Sequence, residues 1–275
     1  VFEKDMCRLL GAIFAETGSI QHHFLNSECS LFTQAVKGRQ SDGWGIGFYS
    51  QGNNPVIFKS DKPVYEDKEE FEKAVKSTMG RIIIAHVRKA SNPRGLAREM
   101  LISLENSQPF SYSNYVLAHN GTINIPDEVS KRLGPYAKLI KGRNDSEVYF
   151  YLLLSLIEKE GDVTNAFKKV EHTLMKIFLE EKVSRFETPF TSLNTIFSDG
   201  NRLYAFTRYL YNPGPSMCYG DAPIYEMCFK ISSDHIVVAS EKTERGDWVP
   251  LKNNSLLVCW VEGGELKHKV LDFNV

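Results

Sequence analysis

Met6-Cys7-Arg8-Leu9-Leu10-Gly11 places a cysteine beside an apolar run near the start of the chain. The run from Arg8 to Phe14 reads as a buried strand. If the chain is cut after Met6, Cys7 carries both a thiol and a free α-amine. A thiol with a pKa of about 8.5 is only a few per cent ionised at pH 7. An α-amine of about 7.7–8.0 is neutral in roughly a tenth of molecules at that pH, whereas a lysine of about 10.4 is neutral in well under a thousandth. The chain's own nitrogen is therefore the better base. As written from Val1, however, the Cys7 nitrogen is a peptide amide that takes no proton. We expect residues 1–6 to be a leader or extension that is removed, leaving residues 7–275 as one domain. The plain alternative for Cys7 is a buried core thiol.

Composition narrows the classes. With 275 residues, 42% hydrophobic and 24% charged, the chain can build a large core without dividing into two domains. Lys plus Arg number 33 against 34 for Asp plus Glu, and no basic run is present to track a phosphate backbone, so nucleic acid is not an expected partner. The longest apolar stretches, such as Val148 to Ile157, fall well short of the roughly 20 residues a membrane helix requires. The first residues lack a basic start and apolar middle, which predicts a cytosolic protein. Five cysteines without C-x-x-C spacing argue against a zinc site and against a disulfide framework. Adjacent His22 and His23 cannot both face one ion from a regular helix. No metal and no cofactor are expected.

Ser19 to Val36 carries helix-spaced apolar residues at Phe24, Leu31, Phe32 and Ala35, and Asp67 to Met79 reads as an amphipathic helix. Asp42-Gly43-Trp44-Gly45-Ile46-Gly47-Phe48-Tyr49 is a turn feeding a strand, whose glycines mark either close approach by a backbone or ligand, or tight sheet packing. Arg81 to Val87 is a β-branched run that predicts a central strand, with Arg88 emerging at its end. An arginine there can hold a carboxylate through two parallel hydrogen bonds, or make an ordinary salt bridge. Tyr115 to Ile123 is a short apolar strand containing Asn120-Gly121. This pair is either a hairpin turn or an oxyanion hole made of the asparagine amide and the glycine N–H. Asn144 and Glu147 are spaced like a capping box at the start of a long helix. Asp145 beside them either complements the helix dipole or receives an ammonium group.

A second helix spans Val163 to Glu180. Strands follow at Ser192 to Phe197, Arg202 to Arg208, Glu226 to Ile231, His235 to Ala239, Leu256 to Val261 and Glu265 to Leu271. Residues 92–114 and Tyr209 to Pro223 are the long loops, and the candidate lids. Strands, two adjacent helices, then strands suggest α+β layers, not a doubly wound parallel sheet.

Taken together and in order, Cys7-Arg8-Leu9-Leu10-Gly11, Asp42-Gly43-Trp44-Gly45, His86-Val87-Arg88, Gln108-Pro109-Phe110, His119-Asn120-Gly121 and Asn144-Asp145-Ser146-Glu147 resemble the class II glutamine amidotransferases. The stretch from Ala239 to Leu251 is similar to the stand-alone members, which lack a fused synthase. The resemblance implies the four-layer αββα sandwich of the N-terminal-nucleophile hydrolases. It implies Cys7 as nucleophile with its α-amine as base, Asn120 and Gly121 as the oxyanion hole, Arg88 with Ser91 for the substrate α-carboxylate, and Asp145 for the α-ammonium. The implied reaction is attack on the γ-amide of glutamine, loss of ammonia, and hydrolysis of a γ-glutamyl thioester. A separate synthetase subunit would accept the ammonia. Lys89 and Asn92 depart from the tryptophan and histidine found in some fused synthases. Two other readings stay open: a hydrolase of γ-glutamyl peptides or conjugates, and a catalytically silent domain that senses glutamine or binds a partner.

Overall fold

In β1 (Arg8–Gly18) both faces are apolar: Leu10, Ala12 and Phe14 alternate with Leu9 and Ile13, and all five are buried. Such a strand needs a partner layer on each side. The computed structural model, which describes residues 6–50 and 52–274, supplies both. Residues 1–5 of the expected leader lie outside the described residues.

The chain continues through α1 (Leu31–Lys37), β2 (Trp44–Tyr49), β3 (Val56–Ser60), α2 (Lys68–Ser77), β4 (Gly80–Val87), β5 (Phe110–Tyr112) and β6 (Tyr115–Asn120). Then come α3 (Pro126–Ser130), α4 (Asp145–Glu160) and α5 (Val163–Glu180). The remainder is β7 (Asn194–Ser198), β8 (Leu203–Thr207), β9 (Cys228–Ile231), β10 (His235–Ala239), β11 (Val249–Pro250), β12 (Ser255–Glu262) and β13 (Glu265–Asp272). One sheet has the order β11-β9-β10-β1-β4-β2-β3 and the other β13-β12-β8-β7-β6-β5. Every pairing is antiparallel.

Three apolar clusters define four layers. Leu10, Ala12, Ile83 and Ala85 pack with Leu31, Phe71 and Val75 of α1 and α2 on the outside of the first sheet. Leu9, Ile13, Ile82 and Ile84 meet Val116, Ala118 and Ile196 of the second sheet in the middle. Leu117, Phe197 and Phe206 pack with Leu153, Phe167 and Leu174 of α4 and α5 beyond it. Each of the larger side chains among these, Leu, Ile, Val or Phe, contributes roughly 1.5–3 kcal/mol when fully withdrawn from water. The result is the expected αββα sandwich. Val148–Ile157, the longest apolar run, is the middle of α4, closed in by the sheet below and α5 above. No helix among the described residues is long and apolar enough to cross a membrane.

Two expectations need correction. Helix-spaced residues between Ser19 and Val36 form a π-helical turn, His22–Asn26, and then a separate α1. Ser30 starts this second piece, its Oγ accepting the Thr33 N–H at 3.2 Å. The cysteines are not all thiols either, since Cys29 and Cys218 form a disulfide with Cα atoms 6.3 Å apart. Spacing along the chain gave no sign of it, because the partners are 189 residues apart and meet only when the Tyr209–Pro223 loop folds back over α1.

Candidate active site

Strand registers bring the motif residues to one end of the sandwich. Arg8 of β1 pairs with Val87 of β4, so Cys7 and Arg88 sit one step beyond that pair at a common sheet end. In the facing sheet, Asn120 is the last residue of β6, opposite Asn194 of β7. Alternation along β6 puts Asn120 on the same side as Val116 and Ala118, toward the first sheet, while His119 turns toward α4.

Each side chain is held by identifiable bonds. Asp42 is fully buried; its carboxylate accepts the Ala90 N–H at 2.7 Å and the Ser41 hydroxyl at 2.8 Å, and also pairs with Arg98. Burial pushes the Asp42 carboxyl up, but these donors outweigh it and hold the group below its ordinary value. Asp42 thereby fixes the loop after β4 that touches Cys7. There Cys7 Sγ accepts the Lys89 N–H at 3.3 Å and donates to the Lys89 carbonyl at 3.2 Å. Gly45 of β2 allows a separate close approach, to the segment entering β5. A Cβ there would come within 2.3 Å of the Gln108 carbonyl oxygen, so the glycine marks close backbone approach, as the sequence suggested.

Cys7 is 8% exposed, and burial pushes its thiol up to about 11 even though the Lys89 N–H and the Arg88 charge pull it down; Asp145 and Asp42 push it further up. Only about one thiol in 10⁴ is ionised at pH 7 under those conditions. For this thiol to act as a nucleophile, a base would have to take its proton.

The β6 end is fixed from behind. His119 Nε2 donates to the Ser192 carbonyl at 2.9 Å, which leaves Nδ1 to accept the Ser146 hydroxyl at 2.9 Å. Burial holds this imidazole neutral by lowering its pKa. Gly121 lies against the same Ser192 carbonyl, where a Cβ would sit 2.0 Å from the oxygen. Asn120 Nδ2 is buried and has no hydrogen-bond partner. An unpaired buried amide donor costs about 1–3 kcal/mol, which a forming oxyanion would recover. Asn120-Gly121 is thus no hairpin turn, since β6 pairs next with β7 across three intervening helices.

Asp145 is the first residue of α4. Asn144 caps that helix by accepting the Ser146 N–H at 2.8 Å, but Glu147 does not close the expected capping box. Its carboxylate accepts the Lys141 and Gly142 N–H groups at 3.0 and 2.8 Å, pinning the preceding loop. Asp145 accepts the Ser91 hydroxyl at 2.6 Å and the Ile123 N–H at 2.7 Å. A carboxylate has about four acceptor positions, so two remain for a further donor. Arg88 is 2% exposed, and its Nη1 donates to the Asp42 and Leu101 carbonyls at 3.1 and 2.8 Å.

Cys7, Ser91, Asn120 and Gly121 line one cavity of about 440 Å³. Arg88 and Asp145 lie behind that wall, Asp145 through its bond to Ser91. Thr122, Asn124, Phe186 and Tyr225 are among the other residues that line it. Sequence reasoning missed these four; Phe186 in particular sits in an unpatterned loop after α5, and only Tyr225, just past the Tyr209–Pro223 loop, carried a nearby signal. Among the described residues, the group whose ligand atoms lie within 4.8 Å of one another is Cys29, Cys218 and Glu241, and its sulfurs are joined in the disulfide.

Residues 6–263 match the family model described as glutamine amidotransferases class-II. The chain is 24% identical over 298 aligned residues to "Probable glutamine amidotransferase DUG3" of Saccharomyces cerevisiae, covering 92% of this chain and 81% of that protein. It is 28% identical over 142 residues to the gamma-glutamyl-hercynylcysteine sulfoxide hydrolase of Mycobacterium tuberculosis, covering 49% of this chain and 56% of the other. Among solved structures, a glutamine aminotransferase class-II domain protein from Silicibacter pomeroyi superposes with a TM-score of 0.65 at 18% identity, over 98% of this chain and all of that one. The glutamine phosphoribosylpyrophosphate amidotransferase of B. subtilis gives 0.62 at 16% identity, over 98% of this chain and half of the other.

Proposed function

Because the chain belongs to the class II glutamine amidotransferases, we propose that it cleaves the γ-amide of glutamine through a thioester on Cys7 and releases ammonia for a separate acceptor enzyme. The observation that carries this reading is the pairing of a buried Cys7 thiol with the unpartnered Asn120 amide on one cavity wall, backed by Arg88 and Asp145.

In this mechanism Arg88, with Ser91, binds the α-carboxylate and Asp145 the α-ammonium. Their opposite charges orient the amino-acid end and aim the side-chain amide at the sulfur. After Met6 is removed, the Cys7 α-amine takes the thiol proton as sulfur attacks the carbonyl carbon of the γ-amide. The Asn120 amide and Gly121 N–H stabilise the developing oxyanion. The ammonium formed at Cys7 then protonates the leaving nitrogen, ammonia departs, and water attacks the thioester with the same amine as base. Glutamate and the free thiol result.

A second reading keeps the chemistry and enlarges the leaving group. A cavity of about 440 Å³ falls in the range of roughly 300–1,000 Å³ that holds drug-sized ligands, more than a single amino acid fills. This favours γ-glutamyl peptides or conjugates, with the second portion lying toward Phe186 and Tyr225.

The test is N-terminal mass analysis combined with labelling by a glutamine-like electrophile. A mature chain beginning at Cys7, labelled on that sulfur and inactive as Cys7→Ala, supports hydrolysis. A chain that keeps Met6 and is never labelled defeats it. Turnover of γ-glutamyl dipeptides with none of glutamine selects the second reading.

A further inference from the structure

Gln40 is fully buried between α1 and β2, and its two amide atoms are used unequally. Nε2 donates to the Met6 carbonyl oxygen at 2.7 Å. Oε1 is buried and has no hydrogen-bond partner. The Met6 oxygen and the Cys7 nitrogen are bonded to the same carbon, about 2.3 Å apart by standard peptide geometry. The Gln40 amide is thus next to the atom that becomes the α-amine when Met6 leaves.

Neighbouring residues make room for this amide and fix the backbone beyond it. A Cβ at Gly38 would fall 2.2 Å from Gln40 Nε2, so that glycine is needed for the side chain to pass. On the other side of the cysteine, Arg8 Nη1 donates to the Cys7 carbonyl at 2.9 Å from a fully buried guanidinium. Arg8 faces Glu241 and Tyr225. Glu241 in turn accepts the Met217 and Cys218 N–H groups at 2.8 and 3.2 Å. The nucleophile's backbone is therefore gripped on both sides by buried polar side chains.

We propose that Gln40 is a positioning residue for the Cys7 α-amine: once Met6 is gone, its Oε1 accepts an N–H of that amine and holds the nitrogen lone pair toward the thiol. This rests on the hydrolase reading above. It gives the orphaned acceptor a partner, since a freed amine brings N–H donors to the position the Met6 peptide bond now occupies. No atom of Gln40 touches substrate.

The experiment compares wild type, Gln40→Met and Gln40→Glu, each verified to begin at Cys7, with glutamine and a γ-glutamyl dipeptide across pH. Gln40→Met should lower kcat about tenfold with KM nearly unchanged, a small part of the 10²–10⁴-fold that a positioned base supplies. Gln40→Glu keeps an acceptor oxygen and adds a negative charge. It should retain most of kcat while the acid limb of kcat/KM moves up by about one pH unit or more, because a nearby anion favours the ammonium form. The other charges facing the site, Arg8 and Glu241 on one side and Arg88, Asp145 and Asp42 on the other, are the same in all three proteins. A structural role alone would not move that limb. If Gln40→Met keeps wild-type kcat, or Gln40→Glu leaves the limb in place, the inference is overturned while the hydrolase reading stands. A wild type that turns over neither substrate overturns both.

Discussion

The cavity around Cys7 has two unlike sides. Behind Ser91 lie Arg88 and Asp145, charged, at most 2% exposed, and each already bonded to the protein. Toward Thr122, Asn124, Phe186 and Tyr225 the wall is neutral and partly open. Fixed charges out of water are costly unless matched, so the first side suits a group of constant charge pattern and rejects others strongly. Neutral walls discriminate weakly and tolerate variety. If the proposed chemistry holds, the deep side recognises the glutamyl portion and the open side decides what is attached to it.

The largest effect should come from the deep side. Asp145→Ala leaves a substrate ammonium facing buried, unpaired surroundings and removes an anchor of Ser91 and Ile123. Loss of one partner of a buried pair costs about 3–5 kcal/mol, or roughly 10²–10⁴ in kcat/KM, and the loss should be equal for glutamine and γ-glutamyl dipeptides. A loss confined to one substrate would break the division. Next, Asn120→Ala should lower kcat by about 10²–10³ with little change in KM, measured with either substrate. Unchanged kcat would remove Asn120 from the oxyanion hole. On the open side, Phe186→Ala should raise KM for a dipeptide by about tenfold and leave glutamine within about twofold, since partial loss of one apolar contact is worth about 1–3 kcal/mol.

The smallest expected effect concerns stability. His86 and His119 are both fully buried, and burial lowers both pKa values, that of His86 well below the ordinary imidazole. The folded chain thus binds fewer protons than the unfolded one once pH drops below about 6.5. The stability these neutral rings contribute is complete above that pH and declines as pH falls through the window down to their folded values. Urea midpoints at pH 7.5, 6.5 and 5.5 should therefore be similar at the first two and lower at the third; a flat series would mean the rings charge without cost.

Both faces of β1 and β4 are apolar because a second sheet lies on one side and helices on the other, so an apolar run in β1 and a β-branched run in β4 made the central strands readable. α5 was readable to its ends from its apolar stripe, with Asp162 accepting the Asn165 N–H at its start. Motif residues at strand ends were readable too, because their chemistry is local: Asn120-Gly121 and Asp42-Gly43 need particular residue types at particular positions. What escaped depends on distant packing. β3 and β11 are short edge strands with partly exposed, mixed faces. Phe186 reaches the cavity only because the loop leaving α5 returns past the end of β6. Gln40 is an unremarkable polar residue in the sequence, and its meaning comes from Met6 lying over it.

The Cys29–Cys218 bond has a consequence for the chain as a polymer. It closes a ring that contains β2 through β8, while β1 and β9 to β13 belong to two linear tails. A chain so joined cannot expand fully even when every other contact is lost. For a loop of this size, the lost freedom of the denatured coil amounts to about 5 kcal/mol in the chain-entropy account. The oxidised polypeptide should consequently have a smaller hydrodynamic radius than the reduced one in strong denaturant, and travel faster through a denaturing gel.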